Sequence, residues 1–507
     1  MSTAGTDVAP PAVVLAGRGL TIDDVSRVAH SAAPVRLDPA ALERAGAAHA
    51  VILDLVARDV PLYGVTTGSG ANRGVHIAPE EIAAFQMHLV TSHCVGVGPP
   101  LPTPVVRALL LIRAHGIAGG GTGAHPAIAA LIVALLNARI HPIVPAWGSV
   151  GMSDLAPMAH AALPLLGLGE VEVAGQRLPA RRALEQAGLS PVTLGPKDGL
   201  TLTSSHAPAL ALGIQTAAEV RALLAAADAV AALTLEGFGA NTSPLDARVL
   251  QARPFAGDVA VAARLRTMLA GSALWEPAAT RVVQDPLSVR CIPQVHGATH
   301  DALAATHALL GAELAAAADN PLVVAADEAV LSNGNFHQGR LALTFDALAL
   351  ALYQQATLTA NRIMRLMSPR FTPFPAYLTP RPGLNCGFAT LQKTFVSLVA
   401  EVRHLANPGG LDALPVAEDV EDHAAMAMFS MRKIGAIVER LRYVLACEAL
   451  TAAQAVDLLG GPARLGGGTR AVYDAVRAVA AVLEEDRVLS PDVERVRDLI
   501  ASGTLGA

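Results

Sequence analysis

Three long stretches in the second part of the chain, residues 214–235, 341–367 and 427–457, contain few glycines or prolines and carry regularly spaced apolar residues. In 341–367 the apolar or small residues recur about every 3.6 positions, which is the period of an α-helix. Such a helix is stable only when its apolar face is buried against a partner. The sequence therefore predicts a mostly α-helical protein with a long central helical bundle.

The composition favours the same fold. Hydrophobic residues make up 52% of the 507 residues, whereas aromatic residues make up only 3%. Alanine, leucine and valine must fill the interior, as they do in closely packed helices. The net charge of −6, with only 16% charged residues, argues against a general nucleic-acid-binding protein.

The sequence predicts neither a membrane span nor a secretion signal. The longest uncharged apolar run, residues 127–136, is well short of the ~20 residues that cross a bilayer. Residues 1–20 have no basic stretch before an apolar core. The four cysteines lie far apart and form no CxxC pair. We expect a cytoplasmic protein with reduced thiols.

The first part of the chain has a different character. Glycine and proline interrupt it repeatedly between residues 61 and 151, which allows only short helices joined by structured loops. A short β-rich segment is predicted at 170–177, where Val171 and Val173 alternate with acidic residues. We therefore expect an N-terminal mixed, loop-rich domain at 1–205, followed by the central bundle and C-terminal helices at 206–507.

Common catalytic motifs are weak or absent. The glycine-rich segment 118–123 lacks the Lys-Ser/Thr pair of a phosphate-binding loop, so a turn at a packed corner is the better interpretation. His296 and His300 have the spacing of a zinc hydrolase motif, but Gly297 stands where those enzymes have a glutamate. No Gly-x-Ser-x-Gly occurs. We predict neither a metal site nor a nucleophilic serine.

Three other segments carry groups suited to acid–base chemistry or binding. Tyr63 lies among turn residues, and the glycines that follow it would let its loop close over a pocket, although a surface turn explains it equally well. Arg290, close to Gln284, is suited to binding a carboxylate, or is an ordinary surface arginine. Glu421 belongs to an acidic run before an apolar stretch, which forms either a solvated helix start or a pocket wall.

Taken in chain order, the segments between residues 62 and 457 resemble histidine ammonia-lyase and the wider family of aromatic amino acid lyases. The matching motifs are Tyr63-Gly64-Val65-Thr66-Thr67-Gly68, Ser92-His93-Cys94-Val95-Gly96, Gly148-Ser149-Val150-Gly151, Asp154-Leu155-Ala156-Pro157, Gln284-Asp285, Arg290-Cys291, Pro293-Gln294-Val295-His296-Gly297, Asp319-Asn320-Pro321-Leu322, Gly334-Asn335-Phe336-His337 and Glu421-Asp422-His423.

The resemblance implies an aspartase/fumarase-like fold and a homotetramer whose active sites are built from several subunits. Family members usually carry an electrophilic methylidene-imidazolone group, formed by cyclisation of Ala-Ser-Gly, to which the substrate amine adds. A loop tyrosine, matched by Tyr63, removes the β-proton. The resemblance also implies substrate-binding roles for His93, Gln284, Arg290, Asn335, Phe336 and Glu421.

This sequence departs from the family where the prosthetic group is made. The family reads Gly-Ala-Ser-Gly-Asp, whereas this chain reads Gly151-Met152-Ser153-Asp154 and lacks the glycine whose nitrogen closes the ring. Ser204 replaces a family asparagine and Leu287 a family tyrosine. We therefore expect Met152, Ser153 and Asp154 to form a degenerate segment, with no prosthetic group and no other cofactor.

A substrate with a quaternary ammonium needs no electrophile, because it leaves directly as a neutral amine. One branch of the family, the ergothionases, also lacks Ala-Ser-Gly and converts ergothioneine to thiolurocanate and trimethylamine. Lys393 replaces an apolar residue of the ammonia-lyases. With Glu421 it could hold an imidazole-2-thione, unless it is a surface lysine.

The sequence therefore predicts a carbon–nitrogen lyase of the ergothionase kind, acting on a small amino-acid betaine. Two alternatives remain open. One is a histidine ammonia-lyase that gives urocanate and ammonia, and the other is a non-catalytic family member that acts as an assembly or regulatory subunit.

Overall fold

A computed structural model of the chain describes residues 11–276, 282–412 and 414–506. The chain divides into two compact units, each drawn from three separate stretches. The first unit comprises the described residues of Met1–Gln215, Ala308–Leu343 and Gly409–Met431. The second comprises those of Thr216–His307, Thr344–Pro408 and Arg432–Ala507. The predicted domain boundary between residues 205 and 206 stays a prediction.

More than half of the described residues are α-helical. The helices are α1 (Ile22–Ser31), α2 (Pro39–Ala57), α3 (Ile82–Ser92), α4 (Thr103–Ala118), α5 (Pro126–Asn137), α6 (Leu155–Ala162), α7 (Ala180–Gln186), α8 (Asp198–Thr203), α9 (Ala207–Phe238), α10 (Ala247–Ala252), α11 (Ala256–Met268), α12 (Leu287–Arg290), α13 (Ile292–Leu314), α14 (Gly339–Leu366), α15 (Leu391–Leu405), α16 (Ala427–Leu458), α17 (Gly467–Val479) and α18 (Ser490–Ala501).

The three longest helices, α9, α14 and α16, coincide with the three stretches of regular apolar spacing, so this part of the fold prediction is confirmed. Each has 28 to 32 residues. Across the residues that the structure describes, no helix combines the length and the apolar composition needed to cross a membrane.

Within residues 11–276, 282–412 and 414–506, the strands are short and form four small sheets. They are β1 (Val13–Leu15), β2 (Val35–Leu37), β3 (Val97–Pro100), β4 (His141–Pro142), β5 (Pro145–Trp147), β6 (Glu170–Val173), β7 (Gln176–Pro179), β8 (Leu322–Val324) and β9 (Ala329–Leu331). β1 and β2 pair in parallel, whereas β3–β5, β4–β6–β7 and β8–β9 are antiparallel. The β6–β7 hairpin confirms the β-rich segment predicted at 170–177.

A small hydrophobic cluster in the first unit anchors the segment that carries Tyr63. Ile52 on α2 is fully buried, and it packs in one cluster with Leu62, Val65 and Val323. Leu62 and Val65 flank Tyr63 along the chain, so burial of their side chains fixes both ends of the short turn that holds this tyrosine. Two apolar residues thereby position a polar one.

The glycine-rich segment forms the packed corner that the sequence predicts. Gly123 has a φ of +73°, and a Cβ there would lie 2.7 Å from Val323 and 2.8 Å from Ile52. Only glycine combines this backbone conformation with such close contacts.

Regular helices of the second unit carry a buried network of charged side chains. Arg362 on α14 donates to both carboxylate oxygens of Glu448 on α16, at 2.7 and 3.0 Å, and both side chains are fully buried. His296 and His300 on α13 lie 2.7 and 3.0 Å from opposite oxygens of the buried Asp228. Among the described residues, no group of three or more His, Cys, Asp or Glu side chains is arranged to hold a metal ion.

Candidate active site

A cavity of about 580 Å³ lies in the first unit and collects many of the predicted site residues. Among other groups, its wall includes a phenol, an imidazole, two neighbouring serine hydroxyls, a carboxylate and an aromatic ring. The residues that provide these groups are Tyr63, His93, Ser153, Ser204, Glu421 and Phe336, and they are joined by Arg73, Met152, Leu200, Asn320 and Asn333. A cavity of this size, with many polar groups that converge on it, is suited to a small polar molecule.

Tyr63 is held in a tight turn by backbone hydrogen bonds. The Leu62 carbonyl accepts from the amides of Val65 and Thr66, both at 3.1 Å. Gly70, in the left-handed region with a φ of +55°, donates its N–H to the Tyr63 hydroxyl at 2.9 Å. A donor directed at the phenol oxygen binds the phenolate more strongly than the phenol, which suits a general base.

His93 follows the last turn of α3 and lines the cavity beside Tyr63. Its Nδ1 lies 2.6 Å from the Leu89 carbonyl oxygen. A carbonyl can only accept, so Nδ1 carries the proton and Nε2 keeps its lone pair in the neutral ring. The side chain therefore offers one acceptor to a ligand.

The degenerate segment forms one wall of the cavity. Met152 makes an isolated antiparallel bridge with His337, and Ser153 donates its backbone N–H to the Phe336 carbonyl at 3.2 Å. Ser153 has a φ of +60°, a conformation that glycine adopts more readily. Its hydroxyl lies 2.9 Å from that of Ser204, so the two hydroxyls stand side by side at the wall.

Asp154, which is fully buried, holds this segment in place through its hydrogen bonds. Its backbone N–H donates to the Ser205 carbonyl at 2.8 Å. The carboxylate accepts from the Ala209 amide at 2.9 Å and from the Ser149 hydroxyl. Complete burial raises the pKa of the Asp154 carboxyl above its usual range, although these hydrogen bonds oppose the shift.

Glu421 reaches the cavity from a strained turn. Val416 and Glu421 form an antiparallel bridge, and between them Ala417, Glu418 and Asp419 all have positive φ values of 51–60°. Such backbone conformations are unfavourable for residues other than glycine. Ala417 also faces Gly70 of the Tyr63 loop, since a Cβ on Gly70 would lie 3.7 Å from that of Ala417. The two loops therefore meet at the cavity.

Two other predicted site residues lie in the second unit. Gln284 and Arg290 line a separate cavity of about 390 Å³ there, together with Asn241, Asp285 and Gln294. With its amide oxygen turned towards the guanidinium, Gln284 accepts hydrogen bonds from Arg290.

Lys393 and Asn335 also lie outside the lining of the Tyr63 cavity. Lys393 is exposed near the start of α15, in the second unit. Asn335 is exposed in the first unit, and its side chain donates to the Ala317 carbonyl at 3.3 Å. Asn333, two residues earlier, lines the cavity instead.

Three residues at the site were not predicted from the sequence. Arg73 and Asn333 line the cavity, and Gln86 donates its side-chain N–H to the Gly64 carbonyl next to Tyr63. Gln86 lies on the apolar stripe of α3 with Ile82 and Leu89, at the helical spacings i+4 and i+7. A polar residue on a buried stripe is the sequence signal that could have identified it. Arg73, in the Tyr63 loop, carried no comparable signal.

Comparisons with known proteins identify the family. A family model described as aromatic amino acid lyase matches residues 20–478. The histidine ammonia-lyase of Chloroflexus aurantiacus strain J-10-fl is 41% identical, over 98% of this chain and 97% of the relative.

Two solved structures share the fold. Ergothionase from Treponema denticola, crystallised in complex with desmethyl-ergothioneine sulfonic acid, is 33% identical and has a TM-score of 0.95, over 97% of this chain and 99% of its own. Histidine ammonia-lyase from Trypanosoma cruzi is 32% identical and has a TM-score of 0.88, over 97% and 94% of the two chains.

Proposed function

This chain belongs to the aromatic amino acid lyase family, and we propose that it is a member that eliminates trimethylamine from ergothioneine to give thiolurocanate. It is an ammonia-lyase-type enzyme with the aspartase/fumarase-like fold. In this proposal the reaction requires no methylidene-imidazolone group.

The position of the Asp154 backbone nitrogen carries the proposal. Ring closure in this segment would require that nitrogen to attack the carbonyl carbon of Met152. It donates instead to the Ser205 carbonyl at 2.8 Å, while Ala209 and Ser149 hold the carboxylate of the same residue. The residues present therefore do not fit the prosthetic group.

A betaine substrate can react without that group. The Tyr63 phenolate takes the proton from Cβ, the Cβ–H electron pair forms the Cα–Cβ double bond, and the Cα–N pair leaves with trimethylamine. The positive charge of the substrate nitrogen is neutralised in this step, and the proton remains on Tyr63. The Gly70 N–H, 2.9 Å from the phenol oxygen, stabilises the phenolate that begins the step.

Substrate recognition in this proposal uses residues of more than one copy of the chain. The predicted homotetramer would bring Arg290, Gln284 and Lys393 of neighbouring copies to the Tyr63 cavity. Arg290 would bind the substrate carboxylate through its planar fork. Lys393 would face the thione sulfur, and Glu421 would accept the ring N–H.

The second candidate function is that of histidine ammonia-lyase. It is favoured by the 41% identity to the Chloroflexus aurantiacus enzyme over nearly the whole of both chains. This function requires an electrophile, so it predicts that the segment from Gly151 to Asp154 cyclises. The third possibility, a non-catalytic assembly or regulatory subunit, predicts turnover of neither substrate.

A substrate panel combined with intact-protein mass separates the three functions. The full chain is incubated with ergothioneine, histidine or the trimethyl betaine of histidine, and acrylate formation is followed by ultraviolet absorbance. We expect thiolurocanate and trimethylamine from ergothioneine, and a protein mass equal to the sequence mass apart from the initiator Met. Urocanate from histidine together with a mass deficit of two waters would support the second candidate and refute ours.

The choice of ergothioneine within the betaines is tested at Lys393. The Lys393→Met variant should lose about tenfold to hundredfold in kcat/KM for ergothioneine, since hydrogen bonds to charged groups contribute about 1.5–3 kcal/mol. It should lose much less for the betaine without sulfur. The control is Arg403→Met, which removes an exposed cation from the same helix. Equal kcat/KM values of the Lys393→Met variant and the wild type for every betaine would contradict the thione assignment.

A further inference from the structure

A buried side-chain amide connects the Tyr63 loop with α8. Gln86 on α3 is fully buried, with 0% of its surface exposed. Its Nε2 donates to the Gly64 carbonyl at 2.9 Å, and its Oε1 accepts from the Leu200 amide at 3.1 Å. Gly64 follows Tyr63 directly, whereas Leu200 lies on α8, which leads to Ser204.

The segments on either side of this amide are packed too closely for a side chain at two glycines. A Cβ on Gly64, whose φ is +66°, would lie 2.8 Å from a methyl group of Leu200. A Cβ on Gly199 would lie 2.1 Å from the Gln86 carbonyl oxygen. At Gly199, α8 therefore lies directly against the backbone of α3, and at Gly64 the Tyr63 loop lies against the Leu200 side chain.

We infer that Gln86 is a positioning residue for the elimination: it fixes the Tyr63 phenol relative to the Ser153 and Ser204 hydroxyls. It touches neither the substrate nor the reacting atoms. It acts by holding the Gly64 carbonyl and the Leu200 amide at a fixed separation. Gly64 follows Tyr63 directly, and Leu200 lies on α8, four residues before Ser204. This inference rests on the proposed role of Tyr63 as the base.

A glutamine side chain can donate and accept a hydrogen bond at the same time, which few side chains of its size can do. It donates on one side and accepts on the other, and both partners are backbone groups. Methionine has a similar length but supplies neither bond. An ionised glutamate accepts from Leu200 but repels the Gly64 carbonyl, whereas a protonated glutamate restores the donor.

The expected results follow from this difference. Gln86→Met should lower kcat about tenfold to hundredfold at every pH, because small misplacements of a catalytic group cost up to about 10² in rate. Its KM should stay within about twofold of the wild-type value. Gln86→Glu should approach the wild-type kcat at low pH and fall towards that of Gln86→Met as its carboxyl ionises.

The pH response is read as the ratio of variant kcat to wild-type kcat. This ratio cancels the titration of groups that both proteins share. On the segments joined to Gln86 and beside them, these are Tyr63, His88, His93, Lys197 and Asp198. A ratio for Gln86→Glu that does not change with pH would overturn the inference.

Gln454 provides a matched control. It too is 0% exposed, and its amide donates to the Leu483 carbonyl at 3.0 Å and accepts from the Leu483 amide at 2.9 Å. It lies on α16 in the second unit. Gln454→Met should lower the thermal midpoint as much as Gln86→Met does, while kcat stays within about twofold. An equal loss of kcat in both variants would reduce Gln86 to a general stabilising role.

Hydrogen exchange separates this inference from the proposed function. Amides of the loop from Tyr63 to Gly70 should exchange faster in Gln86→Met than in the wild type, and those of the second unit should not. If wild-type protein turns over no betaine but the loop responds in this way, the proposed function fails, whereas Gln86 still holds the Tyr63 loop in place. Unchanged loop exchange together with unchanged kcat would overturn the role itself.

Discussion

The wall of the Tyr63 cavity in the first unit and the charged network of the second unit are built in different ways. In the first unit, Gln86, Ser153 and Asp154 bond largely to backbone groups of loops and helix ends. In the second, Arg362 and Glu448 pair side chain to side chain between regular helices. Hydrogen bonds to the backbone fix the position of a loop. Paired charged side chains use each other's donors and acceptors, so these groups are not available to bind a ligand.

This comparison indicates which changes affect chemistry and which affect stability. A substitution among the cavity residues of the first unit should change turnover more than folding. A substitution within the charged network of the second unit should do the reverse. The predictions below test this division, in order of decreasing effect.

The largest effect is expected from removal of the base. Tyr63→Phe should lower kcat on the betaine by about 10²–10⁴, the usual contribution of a proton-transfer group, with KM changed by less than about threefold. Steady-state kinetics with ergothioneine measure both constants.

Tyr443→Phe is the control for this variant. Tyr443 lies on α16 in the second unit, and its hydroxyl lies 3.0 Å from Glu494. Its replacement should leave kcat within about twofold. A Tyr63→Phe enzyme with near-normal kcat would mean that another group takes the β-proton.

The second effect concerns stability. Arg362→Met should lower the free energy of unfolding by about 3–5 kcal/mol, because it leaves the buried Glu448 carboxylate without its cation. Thermal and denaturant unfolding measure the loss. The double variant Arg362→Met/Glu448→Met should recover much of it.

The exposed pair of Arg464 and Glu276, 3.1 Å apart, is the control. Arg464→Met should change the free energy of unfolding by less than about 1 kcal/mol, since solvent screens an exposed ion pair. Equal losses from Arg362→Met and Arg464→Met would show that burial of the charged network does not increase its contribution to stability.

The family and the fold were accessible from the sequence because both leave patterns along it. The 3.6-residue spacing marked the long helices, and ordered motifs marked the family, so both predictions are confirmed. Within the first unit, the motifs also identified Tyr63, Ser153 and Glu421, which the structure places around one cavity.

Other features of the site depend on proximity that sequence spacing does not encode. The partners of Gln86 lie 22 and 114 residues away along the chain, so only the folded structure shows its two bonds. Asn333 and Asn335 are two residues apart in one loop, and loop geometry decides which one lines the cavity. The assembly of Arg290 and Lys393 with this cavity stays a prediction.

Arg290 tests whether the division between units is complete, because it is a proposed binding residue in the second unit. Arg290→Lys should raise KM for the betaine about tenfold and leave kcat nearly unchanged, since a point charge replaces a bidentate fork. The free energy of unfolding should change little. An unchanged KM would remove Arg290 from the proposed site.

The smallest effect is a pH dependence of stability at Asp154. Burial raises the pKa of this carboxyl, so between its ordinary range near pH 4 and the raised value the folded state binds more protons than the unfolded state. This group therefore makes the protein less stable as pH rises through that window. Asp154→Asn removes the charge and keeps an acceptor for Ala209, so its thermal midpoint relative to wild type should rise from pH 4 upwards.

Asp246 gives the opposite sign and serves as the control. Hydrogen bonds from the Arg248 side chain and backbone lower the pKa of its carboxyl to about 2. Its contribution to stability is present above the ordinary carboxyl range and is lost as pH falls towards 2. Asp246→Asn should therefore be less stable than wild type at neutral pH, with a difference that shrinks below pH 4. If the stability of both variants relative to wild type fell in the same way as pH rises, the Asp154 carboxyl would be ionised in the folded protein. Its burial would then not raise its pKa.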